Sequence, residues 1–386
     1  MVRRWARHGL PTGERTLADA LRDAGYEYRA AIGKWHLGHL EAKWHPLSRG
    51  FNHFTGNYNG AVDYWTRERE GEIDWHVNAT PAQPAGYTTD LIADAAAGYI
   101  REHARRGPLL CYVAFTAPHS PLQVPDSYGE KYKDLDGASA GPAPSNKRLL
   151  AAMIACLDDG IGRILQAIAD QGIADDTLIW FLSDNGGVAG IDGNNAPLRG
   201  SKLTVYEGGV RVPAAVWWPG VIEGGRTITA PMSHVDMLPT LLRACTGGAA
   251  LPMGLDGVDA FEALTGRDDA WVPQRDLYSF TGQNGIEKEQ LAILSPDGWK
   301  LIIIGPDVRR EGGYRTPSHR MELFHLDRDP CETTDRAAQE PERVRALGGN
   351  LVAVRRSEPE GAMVPRPTTD DFKPPRHWRN PLADTR

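Results

Sequence analysis

The chain has 386 residues, of which 41% are hydrophobic and 24% charged. That is the composition of a globular protein with a substantial core, long enough for one large domain plus a smaller one at roughly 150 residues per domain. A formal net charge of −7 argues against general nucleic-acid binding, which usually needs a basic domain, so any cationic site has to be gathered locally by the fold.

The opening MVRRWARHGLPTGE carries charge but lacks the apolar stretch of a signal peptide, and no later run approaches the roughly 18 apolar residues of a membrane span. TLADALRDAGY (Thr16–Tyr26) predicts a short amphipathic helix, with Thr16 as its cap and Gly25 as its end. YRAAIG (Tyr28–Gly33) then predicts a strand. The pair recurs: Thr89–Arg106 is helical and Pro108–His119 a nearly all-apolar strand. Asn146–Gly172 is a long helix followed by the strand of DTLIWFLSDNGG (Asp176–Gly187). VPAAVWWPG (Val212–Gly220) predicts a further strand and SHVDMLPTLLRACTG (Ser233–Gly247) a helix. Strands apolar on both faces, alternating with helices, predict a mostly parallel sheet flanked by helices, the doubly wound α/β architecture.

After about Asp269 the pattern changes. RDLYSFTG, QLAILSPDGWKLIII and MELFHLDRDP predict antiparallel strands, two of them joined by a turn at Asp297-Gly298, and a helix follows. The expected organisation is an α/β domain over residues 1–269, a smaller antiparallel α+β subdomain over 270–364, and a Pro/Arg-rich tail over 365–386. Cys111, Cys156, Cys245 and Cys331 form no CxxC pair. Cys111 in a strand and Cys156 in a helix read as buried free thiols.

In open parallel sheets, ligands bind beyond the carboxyl ends of the strands, and three apolar strands here end in chemically loaded turns. The first ends in Lys34-Trp35-His36, the second in Ala117-Pro118-His119, the third in Ser183-Asp184-Asn185-Gly186-Gly187. The loop PLRGSKLTVYEGG (Pro197–Gly209) adds Arg199 and Lys202. Taken singly these are a turn, a loop histidine and two loop lysines. His36 and His39 at i, i+3 have a weak zinc-like spacing with no local Cys or carboxylate to reinforce it. Together they predict Lys34, His36, His119 and Lys202 around an Asp184/Asn185 pair. A carboxylate beside an amide oxygen suits a hard cation such as Ca²⁺ or Mg²⁺. Cationic donors around such an ion stabilise a transferring group whose charge sits on several oxygens, which points to hydrolysis of a sulfate or phosphate ester.

At these residues the chain resembles the sulfatase branch of the alkaline phosphatase superfamily, and within it arylsulfatase B-like enzymes. The matching stretches are LADALRDAGYEYRAAIGKWHLGH, RGFNHFTGNYNGAVDYW, APHSPLQVPDSY, SDNGG, NNAPLRGSKLTVYEGGVRVP and LFHLDRDP. The resemblance implies cleavage of sulfate esters with one bound Ca²⁺. Asp184 and Asn185 match calcium ligands, Lys34 and Lys202 match lysines that hold sulfate oxygens, and His36 matches a histidine in the nucleophile's hydrogen-bond network. His119 matches the histidine that contacts the sulfate and protonates the leaving alcohol. The expected partner is a sulfated small molecule or carbohydrate, neither nucleic acid nor membrane. Trp44, His45, Tyr58 and Tyr64, in loops beside these motifs, are candidates to stack on a sugar or aryl ring.

The sequence also departs from the family. The nucleophile there is a formylglycine made within a C/S-x-P-S-R motif, and two adjacent Asp after the first strand complete the calcium shell. No Cys here has Pro at +2 and Arg at +4, and the Asp-Asp pairs (158–159, 175–176, 268–269, 370–371) do not end a first strand. The expectation is therefore an N-terminally truncated sulfatase with no nucleophile, half a calcium shell, no measurable hydrolysis and poor solubility from exposed sheet edges. One alternative is a non-catalytic binder of sulfated ligands. Another is a two-zinc phosphatase or phosphodiesterase of the same superfamily, for which His234 and Asp236 are the candidate extra ligands, against a plainer role in starting the helix after Ser233.

Overall fold

The computed structural model describes residues 8–136, 143–248, 254–268, 270–282, 286–309, 313–357 and 372–378. Asp269, the expected domain boundary, and most of the 365–386 tail lie outside them. Helix α1 (Leu17–Asp23) starts where Thr16 Oγ1 accepts from the Asp19 amide at 3.1 Å while the Asp19 carboxylate accepts from the Thr16 amide, a reciprocal capping box. Gly25, at φ +89°, then turns the chain into β1 (Tyr28–Lys34). A left-handed φ of that kind is open to glycine at little steric cost.

Strand β1 lies between two parallel neighbours, β2 (His53–Asn57) and, beyond the helix α2 (Thr88–His103), a strand at Leu109–Ala114. Between β2 and α2 the chain makes a small hairpin of β3 (Glu68–Arg69) and β4 (Glu72–Ile73), then β5 (His76–Val77) and β6 (Thr80–Pro81). With β7 as Leu109–Ala114, the main sheet has the order β6-β5-β2-β1-β7, its two outermost short strands running antiparallel.

Around the central strand β1 both faces of this sheet are covered. Ala30 and Ile32 of β1 pack with Ile92, Ala96 and Tyr99 of α2. A second long helix, following the one-turn α3 (Asp126–Gly129), is α4 (Asn146–Asp170), capped by Ser145; its Ala167 and Ile168 cluster with Ala97 and Ile100 of α2. On the opposite face Ala31, Trp35, Phe51, Phe54 and Tyr58 enclose Trp378.

One sheet prediction fails. Strand β8 (Ile179–Leu182) does not extend the parallel sheet; it pairs antiparallel with β9 (Ala214–Trp217), Ile179 opposite Trp217. Parallel strands are usually joined through a crossover helix, and between these two the chain forms only short helical turns, at Ala189–Ile191 and in the one-turn α5 (Glu207–Val210). Consequently Tyr112 of β7, Phe181 of β8 and Trp217 of β9 stay 44–46% exposed, where strands apolar on both faces were expected to be buried.

Helices α6 (Met237–Cys245) and α7 (Phe261–Thr265) lead to the second sheet. Strands β10 (Leu277–Thr281), β11 (Glu289–Leu294), β12 (Trp299–Gly305) and β13 (Arg320–His325) form an antiparallel meander in sequence order. The expected turn is there, with Gly298 at φ +81°. One face, with Leu291, Ile293, Leu301, Ile303 and Leu323, packs on Leu347, Leu351 and Val352 of α8 (Pro341–Ser357). The other, with Ala292, Ile302 and Phe324, packs on Val205 and Tyr206 just ahead of α5. The small subdomain thus holds the very loop that carries Lys202.

Trp378 belongs to the tail yet is fully buried. Its indole donates to the Arg69 carbonyl at 2.9 Å, the His377 amide donates to Glu72 at 2.7 Å, and the His377 carbonyl accepts from His76 Nε2 at 3.0 Å. A buried Trp→Ala change costs about 3–5 kcal/mol through lost transfer energy and a residual cavity. Trp378→Ala is expected to lower the unfolding free energy by that amount in a urea titration followed by tryptophan fluorescence.

Candidate active site

Parallel pairing of β1 with β7, Gly33 opposite Ala114, brings the carboxyl ends of both strands to one edge. Lys34 is the last residue of β1, and the β7 exit runs through Thr116 to His119, whose amide donates to the Thr116 carbonyl at 3.0 Å. Here four of the predicted residues meet electrostatically. Burial holds the Lys34 ammonium below its ordinary pKa; Asp184 opposes that shift and Lys202 adds to it. His119 is also pushed down, first by burial, then by the charges of Lys202 and Lys34, with Asp184 again opposing. Charges couple this way only at short range inside a poorly screened site. Lys34, His119, Asp184 and Lys202 therefore share one local field.

Backbone ties fix the Asp184 turn and the Lys202 loop to each other. Gly186 donates to the Gly209 carbonyl at 3.0 Å and the Lys202 amide donates to the Gly187 carbonyl at 3.0 Å. Asn195 clamps Gly187 from both sides, its Oδ1 accepting from the Gly187 amide at 2.7 Å and its Nδ2 donating to the Gly187 carbonyl at 3.0 Å. Sequence reasoning missed Asn195; an amide set among glycines just before a basic loop was the available signal. The Asn185 side chain donates to the Gly186 carbonyl at 3.0 Å.

His119 has an assignable tautomer. Its Nδ1 lies 2.7 Å from the Ser120 carbonyl, which can only accept, so Nδ1 carries a proton and Nε2 is the titrating nitrogen. Tyr64 braces this loop, its hydroxyl donating to the His119 carbonyl at 2.9 Å. His36 adopts φ +57° and its amide donates to the Tyr58 carbonyl at 2.9 Å. A Cβ on Gly60 would lie 2.4–2.8 Å from the His36 ring, so only glycine there leaves the imidazole its place.

The four aromatic candidates for ring stacking are placed differently from expectation. Trp44, His45, Tyr58 and Tyr64 are all buried and present no open face to a sugar. The Leu47 amide donates to His45 Nδ1 at 3.1 Å, so the Nε2–H faces the Tyr58 hydroxyl at 2.9 Å. The Trp44 carbonyl accepts from the Trp35 indole at 2.8 Å. Loop aromatics near a binding motif look the same in sequence whether they line a pocket or fill the core beneath it.

Zinc-type readings gain nothing here. His39 is buried edge-on against Trp378, with ring centroids 5.2 Å apart. Asp236 is fully buried, pairs with Arg275 and accepts from the Ser233 amide at 2.7 Å and the Val258 amide at 2.8 Å, which is the helix-starting role. Cys156 is buried, Cys111 half-buried, both thiols are pushed up to about 12 by burial, and all four cysteines are free.

Residues 1–247 match the family described as Sulfatase. The chain belongs to the sulfatase family. Among its relatives, this sulfatase is 34% identical over 376 residues to arylsulfatase J of Mus musculus, covering 88% of this chain and 61% of that protein. It is 30% identical over 382 residues to arylsulfatase G of Rattus norvegicus, covering 86% and 69%. The chain thus spans under two thirds of the first relative's length. In fold it is similar to Ps i-CgsB in complex with k-i-k-neocarrahexaose, at TM-score 0.79 and 23% identity, covering 94% of this chain and 78% of that one.

The family's calcium ion finds an insufficient donor set in this sulfatase's described residues. Asp184 offers a carboxylate and Asn185 an amide oxygen, and no group of three or more His, Cys, Asp or Glu suited to a metal occurs among those residues. Calcium takes six to eight oxygens, so these two do not hold it by themselves.

His45 generates a pH prediction. Burial lowers its pKa to about 4, so the fold favours neutral imidazole. The associated stability is complete above the unfolded value near 6.5 and is lost as pH falls toward about 4. Between pH 7 and pH 5 this amounts to roughly 2 kcal/mol. Denaturant titrations at the two pH values are expected to differ by that much more in the wild type than in His45→Gln.

Proposed function

We propose that this sulfatase grips the sulfate group of an ester between Lys34 and Lys202, with His119 set to protonate the leaving alcohol and His36 ordering the nucleophile's surroundings. The observation that carries the reading is the shared field at Lys34, His119, Asp184 and Lys202. Two ammonium groups that raise each other's energy when alone are relieved by an anion lodged between them. A lysine head is a compact point charge suited to any face of a tetrahedral oxyanion.

The same arrangement makes proton donation depend on occupancy. Without substrate, both lysines disfavour imidazolium at His119; a bound anion cancels them, and the pKa rises. His119 Nε2 then acquires its proton when there is an ester oxygen to receive it, which is what a general acid needs. Sulfuric ester hydrolysis on a sugar or aryl alcohol, arylsulfatase B-like in class, is the reaction we assign. The names of the related arylsulfatases and the k-i-k-neocarrahexaose bound by the structural relative support that substrate class.

Hydrolysis also needs an attacking group, and the 386 residues contain no C/S-x-P-S-R sequence. We therefore assign sulfate gripping to this chain by itself and catalysis to a protein that also supplies the nucleophile and the remaining oxygens for calcium. Asp184 and Asn185 alone should bind calcium weakly.

The test is an NMR titration of the His119 ring with and without inorganic sulfate, run beside an aryl sulfate turnover assay. Sulfate is expected to raise the His119 pKa in the wild type and to do so far less in Lys34→Met or Lys202→Met, with no turnover by any of the three. A His119 pKa indifferent to sulfate would refute the grip. Aryl sulfate turnover at enzyme-like rates by rigorously purified chain would refute the inactivity.

A further inference from the structure

Glu207, the first residue of α5, is buried and follows the loop that carries Lys202. Its carboxylate Oε1 lies 2.7 Å from Lys300 Nζ on β12, and Lys300 in turn lies 2.9 Å from Glu332 Oε1 beyond β13. Glu332 closes the ring by accepting from the Glu207 amide at 2.7 Å through Oε2. Exposure is 6% at Glu207, 2% at Lys300 and 1% at Glu332, so this is a buried ionic triad. Glu332 sits at φ +55°, in the left-handed region that a non-glycine residue adopts only under constraint.

Burying two carboxylates and an ammonium is poor value as stabilisation, because desolvation offsets most of the attraction. What an ionic group does supply is direction, since it allows one arrangement of its partners. Here that arrangement is transmitted through bare backbone. Gly208 donates to the Arg199 carbonyl at 2.7 Å, and Gly209 accepts from Gly186 at 3.0 Å. A Cβ on Gly186 would fall 1.9 Å from the Gly208 carbonyl oxygen, and a Cβ on Gly208 would fall 2.5 Å from that of Gly200. The chains touch with no side chain between them, so a shift at Glu207 has nothing to absorb it before it reaches the Asp184–Gly187 turn and, through the Gly187 carbonyl, the Lys202 amide.

We propose that Lys300 and Glu332 of the small subdomain are positioning residues, which act through Glu207 to set where Asp184, Asn185 and Lys202 stand. The functional consequence rests on the sulfate-gripping reading above; the structural one does not.

The experiment is site-resolved amide hydrogen exchange on the full 386-residue chain, wild type beside Glu332→Gln, Lys300→Met and Lys300→Arg, with sulfate affinity measured calorimetrically on the same samples. Glu332→Gln keeps shape and one acceptor, so it is the variant least prone to misfolding. In Glu332→Gln and Lys300→Met, exchange at the Gly186 and Lys202 amides is expected to rise about tenfold or more, as a local opening does, while β1 and β2 amides keep their protection. Lys300→Arg should return most of the protection. Sulfate affinity should fall in parallel. Unchanged exchange at Gly186 and Lys202 overturns the proposal, and so does a uniform rise that includes β1, which marks a merely structural role. If wild-type chain binds no sulfate, the gripping reading fails, and the exchange pattern still decides the positioning role.

Discussion

Two half-buried ammonium groups, Lys34 and Lys202, are held close enough that Lys202 disfavours the charge on Lys34, and the rest of the molecule is arranged to keep them there. Left to themselves, flexible lysines would swing into water and gain both solvation and rotamer freedom. One is fixed by being the last residue of a central strand with parallel neighbours on both sides. The other is fixed by a loop stitched to the Asp184 turn through glycine backbone. Asp184 opposes the burial shifts of both Lys34 and His119. A site so poised is complementary to an anion before any anion arrives, which is preorganisation in the electrostatic sense.

The two sheets divide the work. The mainly parallel sheet delivers Lys34 and His119 by simple strand geometry, while the antiparallel sheet buries Val205 and Tyr206 beside the Lys202 loop. The small subdomain is thus a platform for one wall of the site rather than an appendage. Two of its charged contacts, Lys300 with Glu207 and Glu322 with Arg199, reach into the 199–207 segment.

Much of this was legible in the sequence because the relevant signals are local. An apolar run that ends abruptly in Lys34, in His119 or in Asp184-Asn185 declares a strand whose carboxyl end carries chemistry. The helix after Thr16 was announced by its cap. What stayed hidden depends on distance along the chain. Glu207 meets Lys300 across 93 residues and Glu332 across 125, and no periodicity links them. The direction of β8 against β9 was hidden for a related reason: an apolar run specifies a strand but not its partner. Trp44, His45, Tyr58 and Tyr64 were misplaced because an aromatic side chain in a loop has the same sequence signature above the surface as below it.

The His76–His377 contact joins positions 301 residues apart and seats Trp378 in a cluster whose other buried members, from Ala18 to Tyr58, come from the first sixty residues. A ribosome would expose Trp35, Phe51, Phe54 and Tyr58 long before the indole that fills the space among them emerges. During synthesis that part of the protein must wait with a hole in its interior, adhesive to other nascent chains. Completion of the core beneath the sheet that carries Lys34 therefore waits on residues 301 positions downstream of the strand they close against.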